Sequence, residues 1–216
     1  MAYKLAIFDM DGTILDTIRD LTNGVNHALG QMGMPLRSVE YLREVVGNGI
    51  VTTLKRCAPP DITDAELAEL HSFFAPFYEI HRTDNTRPYD GVAQLLEKLK
   101  QNGVKTAVVS NKSDVSVKPL CDRYFKGLFD ISLGTSEGMA KKPSPEMPES
   151  IIAHFGFDKK DVVYIGDSEV DVMTAKNTEI DGIFVDWGFR TREKLKMSGA
   201  EVIASDAESV FDLIMK

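Results

Sequence analysis

The sequence predicts an α/β protein with a doubly wound parallel sheet as its core and an inserted all-helical domain. Two observations predict this class. Short apolar runs, rich in β-branched residues, recur along the second half of the chain, and each is followed by a helical pattern. Fully apolar strands that alternate with amphipathic helices are typical of a parallel sheet covered on both faces. Residues 16–85, in contrast, carry helical signals only.

Five apolar runs are the predicted strands of the sheet. The first lies near the N-terminus and is expected to be a central strand. Parallel strands bring their carboxyl ends to one edge of a sheet, so polar residues that follow these runs should lie together. The runs are Leu5 to Phe8, Val104 to Val109, Phe129 to Leu133, Val162 to Ile165 and Ile183 to Val185.

The helical block contains its own start and stop signals. Apolar residues recur at helical spacing from Leu21 to Met32, and Gly33 is placed to end that helix. Thr63 followed by Glu66 has the form of a capping box, which predicts the start of a second long helix.

Pro76 predicts a kink or a break in this second helix. We divide the chain into a Rossmann-like core domain, residues 1–15 and 86–216, and a helical cap domain, residues 16–85. The inserted domain is expected to act as a lid over the carboxyl edge of the sheet, where open α/β sheets bind their ligands.

Composition argues against several classes of function. The 216 residues carry a formal net charge of −8 and no basic stripe, so no nucleic-acid partner is expected. No run of about eighteen apolar residues predicts a membrane span, and the N-terminal apolar run is too short for a signal peptide. Cys57 and Cys121 lack the short-spaced partners of a zinc site. These features favour a soluble, cytoplasmic protein.

Four polar elements that follow predicted strands are candidates for chemistry, and the first is Asp9-Met10-Asp11-Gly12-Thr13. Two carboxylates one residue apart can divide the work between them. One can act as nucleophile and metal ligand while the other transfers protons. A plain Asp-Gly hairpin turn is an equally good explanation of Asp11 and Gly12.

The second and third elements offer groups that bind phosphoryl oxygens. Ser110 and Asn111 supply a hydroxyl and an amide, although this pair is also typical of a helix cap. Lys142 precedes Pro143, which disfavours a helical backbone and presents the lysine from an extended loop. A solvated pair of Lys141 and Lys142 is the alternative.

The fourth element is Gly166-Asp167, with Asp171 four residues further along. Carboxylates are the hard oxygen ligands that Mg²⁺ prefers. Alternatively, Asp167 caps the next helix and Asp171 lies exposed on its first turn, where a negative charge is favourable.

Taken together and in this order, the four motifs resemble the haloacid dehalogenase superfamily over essentially the whole chain. The resemblance implies a Mg²⁺ ion held by the Asp9 carboxylate, the Asp11 backbone carbonyl and Asp167. Asp171 would support this ion through water or through the ligands themselves.

The resemblance also implies a phosphatase that forms an aspartyl phosphate on Asp9. Asp11 would protonate the leaving alkoxide and then deprotonate the attacking water. A carboxylate at this position favours phosphoryl chemistry over dehalogenation, because halide needs no proton. The expected phosphate-binding residues of the core are Thr13, Ser110, Asn111 and Lys142.

Other activities of the superfamily stay open. Pyrophosphatases, sugar-phosphate phosphatases and nucleotidases share the core motifs. A phosphosugar mutase is the alternative from a different class, although no histidine occurs between Asp16 and Leu21, where such mutases usually carry one. A regulatory module with vestigial catalytic residues is a third hypothesis.

Three segments resemble phosphoglycolate phosphatases, namely Val45 to Gly49 within the predicted cap, Asp16 to Leu21, and Arg87 to Gly91. Gly47 and Asn48 are the predicted substrate-binding residues of the cap, although a flexible turn explains the glycines equally well. The expected partner is a small phosphorylated metabolite, because a closed lid excludes larger substrates. The protein is expected to be a monomer or a homodimer.

Overall fold

The protein is described over residues 2–216 in a computed structural model. The chain divides into two compact units. An α/β unit contains the residues up to Leu15 together with Pro88–Lys216, and a helical unit contains Asp16–Arg87.

Six of the strands described over residues 2–216 form one sheet, in which every pairing between neighbours is parallel. The strands of the chain are β1 (Leu5–Phe8), β2 (Leu15–Asp16), β3 (Arg87–Pro88), β4 (Lys105–Ser113), β5 (Ile131–Thr135), β6 (Val162–Gly166), β7 (Asp181–Val185) and β8 (Ile203–Ala204). The sheet order is β5-β4-β1-β6-β7-β8, which places β1 centrally, as predicted. Strands β2 and β3 pair with each other where the chain passes between the units.

The helices follow the strands in the alternation that the sequence predicts. The helical unit contains α1 (Ile18–Gln31), α2 (Val39–Val45), α3 (Ile50–Cys57) and α4 (Asp64–His81). The α/β unit contains α5 (Val92–Gln101), α6 (Asp114–Tyr124), α7 (Glu146–Phe155), α8 (Glu169–Thr178), α9 (Arg192–Met197) and α10 (Ala207–Met215). None of the helices described here is both long and apolar enough to cross a membrane.

Both faces of the sheet are buried, as the side chains of β1 show. Leu5 and Ile7 pack with apolar residues of α7, α8 and α9, whereas Ala6 and Phe8 pack with α5, α6 and α10. Successive side chains of a strand point to opposite faces, so a strand between two helical layers must be apolar at every position. The predicted doubly wound α/β class is confirmed.

Strand β4 is longer than predicted. The apolar run ends at Val109, but the strand continues to Ser113, and its pairing with β5 shifts register between these two residues. The extension contains Ser110, Asn111 and Lys112. Polar residues gave no hydrophobic signal for a strand, and strand β8 is too short for a periodic pattern.

The structure confirms the helix end predicted at Gly33 and the helix start predicted at Thr63. Gly33 adopts a left-handed backbone (φ 64°) directly after α1. Thr63 and Glu66 form the complete capping box of α4, with Glu66 N donating to Thr63 Oγ1 at 3.2 Å and Thr63 N to Glu66 Oε2 at 2.9 Å.

Of the kink or break that the sequence predicts at Pro76, the break is wrong, because α4 continues through this residue, and the kink stays a prediction. A Cβ atom at Gly24 of α1 would lie 2.8 Å from the Phe74 ring and 3.3 Å from the Tyr78 ring. These aromatic residues flank Pro76, so the close contact between α1 and α4 stabilises the helix on both sides of the missing N–H group.

Asp20 on α1 is a buried carboxylate with an exposed fraction of 1%. It accepts hydrogen bonds from the backbone and side chain of Asn85 at 2.8–3.0 Å, and from those of Thr86 at 2.8 and 2.9 Å. Asp20 therefore links the first helix of this unit to the end of its chain segment.

Replacing Asp20 should destabilise the helical unit. We expect Asp20→Ala to lower the free energy of unfolding by about 2–4 kcal/mol, because the donors of the buried Thr86 and of Asn85 lose their acceptor. Asp84→Ala, which removes an exposed carboxylate paired with His81, should change it by less than about 1 kcal/mol. Urea denaturation measures both values, and equal small effects would contradict this account.

Candidate active site

The carboxyl ends of three neighbouring strands lie level with one another. Phe8 of β1 is opposite Val108 of β4 and Ile165 of β6. Asp9 continues this alignment, since its N–H donates to the Ile165 carbonyl at 2.8 Å. The residues that follow these strands are therefore held at one edge of the sheet.

Asp9, Asp167 and Asp171 form a buried acidic cluster at this edge. One carboxylate oxygen from each lies within 4.8 Å of the others. Their exposed fractions are 8%, 1% and 0%, respectively. The structure thus brings together the side chains that the sequence predicts as metal ligands, apart from Asp11, whose predicted contribution is its backbone carbonyl.

The ammonium group of Lys142 lies within the acidic cluster. Its Nζ lies 2.7 Å from Asp9 Oδ1 and 2.8 Å from Asp171 Oδ1, and it donates to the Tyr164 hydroxyl at 3.0 Å. Lys142 is buried, whereas Lys141 is exposed. The alternative of a solvated lysine pair is therefore wrong.

The electrostatic state of the cluster follows from burial and from an excess of negative charge. Burial, followed by the charge of Asp171, raises the pKa of Asp9 well above its usual value and that of Asp167 to about 7. Burial alone would lower the pKa of Lys142, but the carboxylates of Asp171 and Asp9 outweigh it and raise that pKa. Within the described chain, the charge of Lys142 does not balance this cluster.

A divalent cation fits this donor set. Carboxylate oxygens are hard ligands of the type that Mg²⁺ binds, and such a cation would favour the ionised form of Asp9 and Asp167. The proximity of buried carboxylates whose pKa values are raised is the observation that supports a metal here.

Asp171 is held by protein hydrogen bonds on both oxygens. Oδ1 contacts Lys142 and accepts from the Tyr164 hydroxyl at 3.1 Å. Oδ2 accepts from the N–H and the hydroxyl of Ser168, at 3.1 and 2.6 Å, and from the Asp167 N–H at 3.3 Å. The alternative of an exposed carboxylate on a first turn is wrong, and Asp171 instead orients its neighbours.

Asp167 is fixed by groups from two loops. Its Oδ1 accepts from the Thr13 hydroxyl at 2.9 Å, and its Oδ2 accepts from the Phe189 N–H at 2.7 Å. Gly12 has a left-handed backbone (φ 95°), and a side chain at Gly12 or Gly188 would collide with Asp167. The residue that caps α8 is Ser168, so the alternative of Asp167 as the cap is wrong.

The second predicted element is joined to the backbone of Lys142 through Asn111. Asn111 Nδ2 donates to the Lys142 carbonyl at 3.0 Å, and the Lys142 N–H donates to Asn111 Oδ1 at 2.8 Å. Ser110 is buried, and its Oγ accepts from the Lys112 N–H at 3.2 Å. The cap of α6 is Ser113, so neither Ser110 nor Asn111 caps that helix.

The remaining predicted residues have different surroundings. Asp11 pairs with Lys112, whose Nζ donates to both carboxylate oxygens at 3.0 Å. Gly47 and Asn48 belong to the helical unit, between α2 and α3. Direct contacts of Thr13, Asn111, Gly47 and Asn48 with a substrate stay predictions.

Several residues of this site were not predicted from the sequence. Tyr164 is a polar aromatic residue in an otherwise apolar strand, which indicates a buried hydroxyl in need of a partner. Lys112 follows Ser110 by two positions, the spacing that puts both on one face of a regular strand. Trp187 donates from Nε1 to the Thr13 carbonyl at 3.1 Å, and its position after a late apolar run indicates the edge of the sheet without indicating this partner.

Comparisons with known proteins agree on one family. A model of haloacid dehalogenase-like hydrolases matches residues 6–185. A phosphoglycolate phosphatase from Caulobacter vibrioides is 32% identical over 200 residues, which cover 91% of this chain and 84% of that protein.

Solved structures extend the similarity to the whole fold. A proposed phosphoglycolate phosphatase from Lactobacillus delbrueckii subsp. bulgaricus is 39% identical, with a TM-score of 0.94, and the match covers 100% of this chain and 99% of that one. A predicted phosphoglycolate phosphatase from Haemophilus somnus is 26% identical, with a TM-score of 0.91 and coverages of 98% and 97%.

Mg²⁺ should stabilise the folded protein through Asp167. At a concentration one hundred times its Kd, a ligand adds about 2.7 kcal/mol, which corresponds to a rise in Tm of roughly 5–10 °C for a chain of this size. In Asp167→Asn we expect no such rise and a metal-free Tm above that of the parent, because the charge repulsion with Asp171 is removed.

Thermal melting with and without Mg²⁺ tests this expectation. The asparagine amide can still accept from the Phe189 N–H and donate to the Thr13 hydroxyl, so the loops remain connected. Asp122→Asn, an exposed change of the same kind, should behave like the parent. An undiminished Mg²⁺ effect in Asp167→Asn would show that the metal binds elsewhere.

Proposed function

The chain belongs to the haloacid dehalogenase-like hydrolases, and we propose that it is a Mg²⁺-dependent phosphatase that forms an aspartyl phosphate on Asp9. Its relatives support hydrolysis of phosphoric monoesters. The observation that carries the proposal is the convergence of Asp9, Lys142 and Asp167 at the carboxyl edge of the sheet.

The first step transfers the phosphoryl group to Asp9. A carboxylate oxygen of Asp9 forms a bond to phosphorus while the bond from phosphorus to the ester oxygen breaks. Lys142, bonded to Asp9 Oδ1, limits rotation of this carboxylate and offers positive charge to the phosphoryl oxygens. The buried hydroxyl of Ser110 supplies a further donor. Asp11 donates its proton to the leaving alkoxide.

The second step releases phosphate. Asp11, now a carboxylate, removes a proton from water while the water oxygen bonds to phosphorus and the bond to Asp9 breaks. Asp9 is regenerated as a carboxylate, and the proton is again on Asp11. One residue therefore serves as acid and then as base.

The metal requirement follows from charge. A phosphate dianion that approaches Asp9, Asp167 and Asp171 meets repulsion of about 4 kcal/mol per pair of unit charges 4 Å apart at an effective dielectric constant of 20. Asp9, Asp167 and the Asp11 carbonyl would hold Mg²⁺, and Asp171 would orient these groups. When bound, the ion supplies positive charge that lets the anionic substrate approach an anionic nucleophile.

We propose 2-phosphoglycolate as the substrate of this phosphatase. The relatives named above carry that activity in their names, and the identity to them is between 26% and 39%. Sequence similarity in the helical unit supports the same choice. Selection of the substrate by Gly47 and Asn48 remains a prediction.

Replacing the nucleophile should abolish turnover. We expect Asp9→Asn to reduce Mg²⁺-dependent phosphate release from p-nitrophenyl phosphate by at least about 10³-fold, because an amide cannot form the acyl phosphate. Asp158→Asn, a change at an exposed carboxylate, should keep the parent activity. Substantial turnover by Asp9→Asn would exclude the aspartyl-phosphate route.

Specificity constants should identify the substrate. In a panel of 2-phosphoglycolate, pyrophosphate, a hexose phosphate and a nucleoside monophosphate, we expect the highest kcat/KM for 2-phosphoglycolate, by about tenfold or more. A higher kcat/KM for another phosphate ester would contradict 2-phosphoglycolate as the substrate, but it would still agree with phosphatase activity. Isomerisation of the hexose phosphate faster than loss of its phosphate would instead favour a mutase.

A further inference from the structure

An ion pair between Asp11 and Lys112 lies beside the proposed nucleophile, and the steps above give the lysine no role. Lys112 Nζ donates to both carboxylate oxygens of Asp11 at 3.0 Å. The lysine side chain is 7% exposed and the aspartate side chain 17%. This seclusion distinguishes the pair from solvated surface pairs, whose long side chains are free to separate.

The backbone of Lys112 is fixed on both sides. Its N–H donates to the Ser110 hydroxyl at 3.2 Å, and its carbonyl accepts from the Thr135 hydroxyl of β5 at 3.3 Å. The pair therefore does not depend on a mobile loop. Lys112 belongs to the polar extension of β4, where the pairing with β5 changes register.

Gly134 on β5 leaves room for this extension. A Cβ atom there would lie 2.6 Å from the Lys112 carbonyl oxygen and 2.6 Å from the backbone of Asp114. Only a residue without a side chain permits such an approach of two backbones. The local fold thus places the Lys112 backbone of β4 close to β5, and from this position its side chain reaches Asp11.

We propose that Lys112 is a positioning residue for Asp11. Its ammonium group holds the side chain in the orientation from which the protonated carboxyl group gives its proton to the leaving alkoxide. The proposal rests on the proposed function, since the orientation of Asp11 matters only if Asp11 transfers protons. The carboxyl group of an aspartate turns about the bonds of its side chain, and an ammonium group that donates hydrogen bonds to it restricts these rotations. A displacement of about 1 Å in a catalytic group can reduce a rate by about 10²-fold.

Two substrates with different leaving groups distinguish a positioning role of Lys112 from a purely structural one. An alkoxide must be protonated as it leaves, whereas p-nitrophenolate is a weak base and leaves without a proton. The constant kcat/KM covers the steps up to cleavage of the ester bond. Loss of the orientation of Asp11 should therefore reduce kcat/KM for an alkyl phosphate and spare that for an aryl phosphate.

The experiment compares glycerol 3-phosphate with p-nitrophenyl phosphate in the Mg²⁺-loaded protein. For Lys112→Met we expect kcat/KM to fall by about 10- to 100-fold with glycerol 3-phosphate, a part of what general acid catalysis contributes, and by less than about 3-fold with p-nitrophenyl phosphate. Glycerol 3-phosphate has no carboxylate, so the loss cannot come from a contact between Lys112 and a substrate carboxylate.

Three further variants sharpen the result. Lys112→Arg keeps a cation and should recover a large part of the activity with glycerol 3-phosphate. Lys118→Met removes an exposed lysine that pairs with Asp114 and should leave kcat/KM unchanged with both substrates. In an Asp11→Asn background, Lys112→Met should add no further loss, because the group it positions is already inactive.

Equal losses with both substrates, or no loss with either, would overturn the role of Lys112 while leaving the phosphatase intact. Absence of phosphate release from both esters by the parent protein would overturn the proposed function and this inference together. If Lys112→Met does not give a folded protein by circular dichroism, Lys112→Gln, which keeps a polar amide in the same position, gives the same comparison.

Discussion

The carboxyl edge of the sheet holds a buried cluster of charged groups in the described chain. It consists of the carboxylates of Asp9, Asp167 and Asp171 and the ammonium group of Lys142. Such an excess of buried negative charge is unfavourable unless a further cation joins it. Its signature is the raised pKa of Asp9 and of Asp167, caused first by burial. The arrangement of these groups therefore suits the binding of a further cation rather than the stability of the protein alone.

The fold holds this cluster by short connections and by hydrogen bonds that cross between motifs. Asn111 of the second motif binds the backbone of Lys142 in the third, and Thr13 of the first motif binds Asp167 in the fourth. Asp171 joins the third and fourth motifs through Lys142. A change in one motif should consequently move groups of another, so substitutions here are expected to be non-additive.

The sequence predicted the parallel sheet, its central strand and the approach of Asp9, Lys142 and Asp167, because apolar strands and the residues after them follow a simple periodic rule. It could not predict the contacts of Lys112 with Asp11 and of Tyr164 with Asp171. Lys112 depends on a polar extension of a strand and on a change of register, neither of which has a hydrophobic pattern. The break at the proline of α4 was wrong because tertiary packing overrides the local preference of proline.

A divalent ion between Asp9 and Asp167 is the claim on which the remaining chemistry depends. The most direct measurement is an anomalous difference map from a crystal grown with Mn²⁺, which takes the same oxygen ligands as Mg²⁺ and scatters anomalously. The account predicts a strong peak about 2.0–2.3 Å from a carboxylate oxygen of Asp9 and of Asp167. A peak at another location, or none at this edge of the sheet in ordered crystals saturated with Mn²⁺, would contradict it.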